Sequence, residues 1–150
     1  MKKILITLIL FAFFVPSVFA YNDVSKDHWA YDYITDLTEQ GVFDGEKENF
    51  NPDQYITRAE LIKMIVNKTV GPLRIMPKTP TFNDVPKGSW YFKFIESGIK
   101  LAFVTGEENE DGKKIFRPND PVNRAEAAKI ICLGLGVEIH DNKEAPFRDV

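Results

Sequence analysis

The sequence has little sulfur or imidazole chemistry. It holds one cysteine, Cys132, and two histidines, His28 and His140. A single cysteine cannot form an intrachain disulfide, and a thiol nucleophile needs a base that only those two imidazoles could supply. Cys132 lies in the apolar run Ala127-Ala-Lys-Ile-Ile-Cys-Leu133 and reads as a buried core thiol. No metal-ligand spacing and no cofactor motif is present. The acidic stretch Glu107-Glu-Asn-Glu-Asp111 lacks the alternating-aspartate spacing of a calcium loop and reads as solvated. Basic surplus is missing too: 19 Lys and Arg face 22 Asp and Glu, for a formal charge of −3. That argues against nucleic acid or an anionic membrane as partner. No catalytic constellation emerges, so the chain does not read as an enzyme.

There is only one long apolar run, and it is at the start. Lys2 and Lys3 precede Ile4 to Val15, Pro16 breaks the run, and Val18-Phe19-Ala20 supplies small residues at a cleavage site. Residues 1–20 therefore read as a secretory signal. The run is short for a membrane span, which needs about 20 apolar residues. Nothing later spans a membrane, so no insertion is expected after cleavage. Without Lys2 and Lys3 the charge becomes −5.

The rest of the chain is organised by a repeat. Phe50-Asn-Pro-Asp-Gln-Tyr-Ile-Thr-Arg-Ala-Glu60 returns as Phe116-Arg-Pro-Asn-Asp-Pro-Val-Asn-Arg-Ala-Glu126 with identical internal spacing. Each copy leads into an apolar helix. Thr57 and Glu60 make a Thr-x-x-Glu capping box, and Asn123 with Glu126 repeats it. Ile56 and Leu61 fit a hydrophobic staple. The two glutamates thus have a structural reason to be there. Arg58 and Arg124 do not, since a cation at the first helical position opposes the helix dipole. Beside free backbone N–H groups, a guanidinium there suits a carboxylate or phosphate. Both arginines are expected to matter for binding and little for folding.

Upstream, each copy opens on Asp-Val, at Asp23-Val24 and Asp84-Val85. A Trp-led helix follows, from His28 with Asp27 or Ser25 as cap, and from Trp90 with Ser89 as cap. Gly41 ends the first of these helices. Ala102 stands in its place in the second copy, where a less regular turn is expected. The loop after Gly106 is five residues longer than the one after Gly45, so landmarks repeat at 61 residues upstream and 66 downstream. Residues 71–80, with three prolines, form a linker. Pro146-Phe-Arg-Asp-Val150 matches Thr81-Phe-Asn-Asp-Val85, the opening of a third copy.

Asp-Val, a Trp-led helix, a glycine turn, Phe-x-Pro and Thr57-Arg58-Ala59-Glu60 together resemble the S-layer homology (SLH) domain family. Asn123-Arg124-Ala125-Glu126 departs from that motif only at the cap. The layout is then a signal at 1–20, repeat 1 at 21–70, the linker at 71–80, repeat 2 at 81–141 and the start of a third repeat at 147–150. The resemblance implies an all-α fold of helix–loop–helix units around a central helical bundle, here an incomplete pseudo-threefold spindle. With one member missing, apolar faces around Leu61 and Ala127 would be uncovered. The resemblance further implies a non-catalytic anchoring module that binds an acidic, pyruvylated cell-wall polysaccharide in grooves between repeats, with self-assembly in a surface layer. Arg58 and Arg124 would grip the acidic group. Trp29 and Trp90 would pack beneath a sugar or, as an alternative, anchor the core. The protein would be secreted and held at a bacterial cell surface. The alternative is the anchoring part of a secreted enzyme or outer-membrane channel whose working domain lies beyond Val150.

Overall fold

In this computed structural model the described residues are 21–71, 73 and 77–138. The signal segment, part of the linker and the third-repeat opening at 147–150 lie outside them. The described chain is helical. Its order is α1 (Tyr31–Glu39), α2 (Arg58–Thr69), α3 (Phe92–Lys100), a short antiparallel pair β1 (Glu107–Glu108) and β2 (Lys114–Ile115), and α4 (Arg124–Leu135). The five extra residues of the second loop form the tip of that hairpin. There Asn109 Oδ1 accepts from the amides of Asp111 and Lys113.

Each first helix starts later than its sequence suggests. Neither α1 nor α3 has a side-chain cap. The preceding residues form linked turns instead. His28 N donates to Ser25 O and Tyr31 N to His28 O, both at 2.9 Å. Ser89 is not a cap, because its hydroxyl donates back to Pro86 O at 2.7 Å. The turn after α3 is no less regular than the turn after α1. Gly41 takes a left-handed φ of +72°, and Ala102 takes the same region at +64°. Both then make matching bonds, Val42 N to Leu37 O and Phe103 N to Gly98 O. Ala102 bears a steric cost that Gly41 avoids.

Packing crosses the repeat boundary. The second helix of repeat 1, α2, lies against α3 and α4 of repeat 2 rather than against its own α1. Ala59, Ile62 and Val66 are fully enclosed there. Gly134 permits the α2–α4 approach, since a Cβ at that position would sit 2.3 Å from Ile65 Cγ2. The main core runs from α2 through Phe92, Ile95, Phe103 and Phe116 to Ile130. Tyr21, Val24 and Ile34 form a separate small cluster. Pseudo-equivalent residues show why the two differ. Phe94 of α3 is 7% exposed against α2, whereas its counterpart Tyr33 of α1 is 69% exposed, with no equivalent helix against it among the described residues.

The two second helices differ in the same way. Leu61 is buried, so the expected uncovered surface does not lie there. It lies on α4, where Ile130 is the only buried side chain and Ile131, Leu133 and Leu135 are exposed. Cys132 is only half-buried. Burial of α2 comes from the repeat that follows it. Among the described residues, nothing occupies the corresponding place beside α4.

Candidate functional site

Both Arg-Ala-Glu motifs sit at helix starts held by reciprocal caps. Glu60 N donates to Thr57 Oγ1, and Thr57 N donates to the Glu60 carboxylate at 2.9 Å. Glu126 N donates to Asn123 Oδ1 at 2.9 Å, and Asn123 N returns a bond to Glu126 at 3.2 Å. The caps fix where the neighbouring arginines leave the helix.

The two arginines occupy different surroundings. Arg58 reaches into repeat 2, where its Nε donates to Phe116 O at 2.9 Å and its guanidinium pairs with Glu126 Oε1 at 3.1 Å. The same group lies 4.8 Å from the centre of the Phe116 ring. Its side chain is only 15% exposed. The amides that sequence reasoning left free at this helix start are also engaged. Arg58 N donates to Asp120 O and Ala59 N to Pro118 O, at 2.9 and 3.0 Å. Arg58 therefore ties the two repeats together, and the expectation that it contributes little to folding does not hold. Arg124 is exposed. Among the described residues neither its guanidinium nor the amides of Arg124 and Ala125 have a partner.

The aspartates of the Asp-Val pairs have a role that sequence reasoning missed. Asp23 accepts the amides of Phe50 and Asn51 at 2.8 and 2.6 Å, and Asp84 accepts those of Phe116 and Arg117 at 2.9 and 2.7 Å. Each clamp sets the turn before the motif, where Asn51 and Arg117 have φ of 59° and 57°. The bonds from Phe50, chiefly, and from Asn51 hold the Asp23 carboxyl below its ordinary value. The signal was available in sequence, because each Asp-Val is paired with a later Phe-x-Pro.

Trp29 and Trp90 are not core anchors. They are 83% and 51% exposed, and Tyr55 is 85% exposed. Two cavities flank the motif helices. The larger, of about 270 Å³, lies between the 42–56 loop and α2 and is lined by Phe43, Phe50, Tyr55, Met64, Lys47 and Lys63, among others. The second, of about 190 Å³, contains Arg58 beside Phe116, Glu126 and Lys129. The two are equivalent by repeat position: Phe50 matches Phe116, Glu60 matches Glu126 and Lys63 matches Lys129.

The S-layer homology domain family model matches residues 20–62 and 81–128, which covers both motif copies. The chain belongs to the S-layer homology domain family. It is 30% identical over 134 residues to an S-layer protein of Bacillus thuringiensis subsp. finitimus, covering 87% of this chain and 16% of that protein. It is 30% identical over 122 residues to a cellulosome-anchoring protein of Acetivibrio thermocellus, covering 79% of this chain and 26% of the relative. An endoglucanase of Bacillus sp. (strain KSM-635) is 30% identical over 140 residues, covering 85% of this chain and 14% of the enzyme. The chain thus spans about a quarter or less of these relatives. SLH repeats in surface-layer and anchoring proteins place it at a bacterial cell surface or envelope.

Proposed function

We propose that this SLH chain is a non-catalytic module that holds a protein at the bacterial cell surface by binding an acidic, pyruvylated cell-wall polysaccharide. The observations that carry the reading are three exposed aromatic rings, Trp29, Tyr55 and Trp90, and a cavity that Tyr55 lines together with Lys47 and Lys63. An exposed ring accepts the C–H face of a pyranose, and its polar edge stays wet. Arg124, exposed at a helix start, supplies a guanidinium for a carboxylate. Arg58 would reach a ligand only from its tied position.

The same geometry supports the pseudo-threefold spindle. Repeat 2 satisfies the start of α2 with the carbonyls of Pro118 and Asp120. A further repeat placed on α4 in the same manner would meet the amides of Arg124 and Ala125. It would also cover Ile131 and Leu135. A second reading keeps the anchor and adds cargo: the module holds a secreted enzyme or outer-membrane channel to the wall. It is favoured by the small share of each relative that the chain covers. Neither reading gives the chain its own catalysis.

The test is co-sedimentation of residues 21–150 with purified Bacillus sacculi, before and after acid extraction of the non-peptidoglycan polymers. The proposal expects binding to intact sacculi and its loss after extraction. Equal binding to both would move the ligand to peptidoglycan and contradict the proposal.

A further inference from the structure

We infer that α4 is the seat of a two-fold dimer of this chain, in which the stripe Arg124, Ala128, Ile131 and Leu135 of one copy packs antiparallel against the same stripe of a second copy. The pairing goes beyond the anchoring reading and does not depend on it.

The stripe is set by spacing. Its residues follow at intervals of four, three and four, which keeps them on one side of a helix. All four are exposed, while Ile130, on the inner side, belongs to the main core. Their counterparts in α2 include Arg58, Ile62 and Ile65, and there repeat 2 closes over the face. In α4, Leu135 stands where α2 has Thr69, so the apolar stripe runs to the helix end. The spindle reading places a further repeat on this stripe, and a second copy fills it when none is seated there.

A two-fold pair needs a face that complements itself. Antiparallel α4 helices set Ala128 of each copy opposite Ile131 of the other, small against large, so the axes can approach closely. The same register sets Arg124 opposite Leu135, at the end of the other helix. That end is negative. The carbonyls of Gly134 and Leu135 accept no backbone bond among the described residues, and Glu138 lies exposed just beyond. Arg124 opposes the dipole of its own helix, but against a second copy it meets the favourable end, twice per dimer. A parallel pair would instead bring the two arginines together. Lys129 turns to the cavity beside Arg58 and stays clear of the stripe. One helix per copy makes a small contact, so the dimer is weak and forms at high concentration.

The experiment is sedimentation equilibrium of residues 21–150 across a wide concentration range, with melting curves of each variant at the dilute end. The parent should pass from monomer to dimer. Ile131→Glu should stay monomeric and melt like the dilute parent, since Ile131 is already 38% exposed. Arg124→Glu, which suits its own helix dipole, should weaken pairing about tenfold through two lost end contacts. Adding Glu138→Lys should restore most of that loss, which a merely structural role for Arg124 would not do. A parent that stays monomeric throughout would overturn the proposal. If truncation after Glu138 then made it associate, the face would belong to residues 139–150 instead. A dimer indifferent to Ile131→Glu would place the contact elsewhere, and a charge swap without rescue would refute the antiparallel register.

Discussion

Replacing Arg58 with alanine should destabilise the chain by about 2 kcal/mol. The side chain donates to Phe116 O, and a hydrogen bond from a charged donor contributes about 1.5–3 kcal/mol. The pair with Glu126, whose side chain is 38% exposed, adds at most about 0.5 kcal/mol after solvent screening. Contact with the Phe116 ring adds about 0.5–1 kcal/mol. Against these, alanine recovers about 1 kcal/mol of side-chain entropy. It also relieves a few tenths, about 0.3 kcal/mol, of opposition to the helix dipole. The net of about 2 kcal/mol corresponds to a fall in Tm of roughly 8 °C for a domain of this size. Urea unfolding at pH 7 measures it directly. Arg124→Ala is the control, because Arg124 is exposed and has no partner among the described residues; its loss should stay within about 0.5 kcal/mol. A cycle with Glu126→Gln isolates the ion pair, since glutamine can still serve the cap. If Arg58→Ala and Arg124→Ala have the same small effect, Arg58 does not tie the repeats together and the interface account fails.

Other outcomes follow from single positions. Ala102→Gly should stabilise the chain by about 1 kcal/mol, read as a higher urea midpoint, because it relieves a left-handed alanine at φ +64°. Asp23 has a lowered folded pKa, so its contribution is fully present above the ordinary value of 3.8 and is lost as pH falls through the lowered one. Urea midpoints from about pH 7 to about pH 3 should show that acid loss, and Asp23→Asn should show less of it. Gly134→Leu should cost about 1–3 kcal/mol by forcing α4 away from Ile65, visible in thermal melts.

The elements legible in sequence were those set by short-range chemistry. Thr57 with Glu60 and Asn123 with Glu126 mark helix starts because a cap needs only three residues of spacing. Gly41 marks a helix end for the same reason. What could not be read was which repeat each side chain would face. Arg58 looks like Arg124 within its own motif, yet one lies between repeats and the other in solvent. The two differ through Phe116, Pro118 and Asp120, some sixty residues away. Trp29 and Trp90 look like core residues by size, but the preceding turns swing both rings outward. The Asp23 and Asp84 clamps had only an indirect mark, the pairing of each Asp-Val with a later Phe-x-Pro, because their partners are backbone amides, which carry no residue signature. Ala102 shows the opposite case. Its side chain disfavours the left-handed turn, but the packing of Phe103 and Val104 imposes it.

The most direct test of surface anchoring is calorimetric titration of wall polysaccharide, released from Bacillus sacculi, into residues 21–150. The account predicts saturable binding that weakens steeply when the carboxylates of the polysaccharide are capped. Heat that never saturates, or saturable binding indifferent to carboxylate capping, would contradict it.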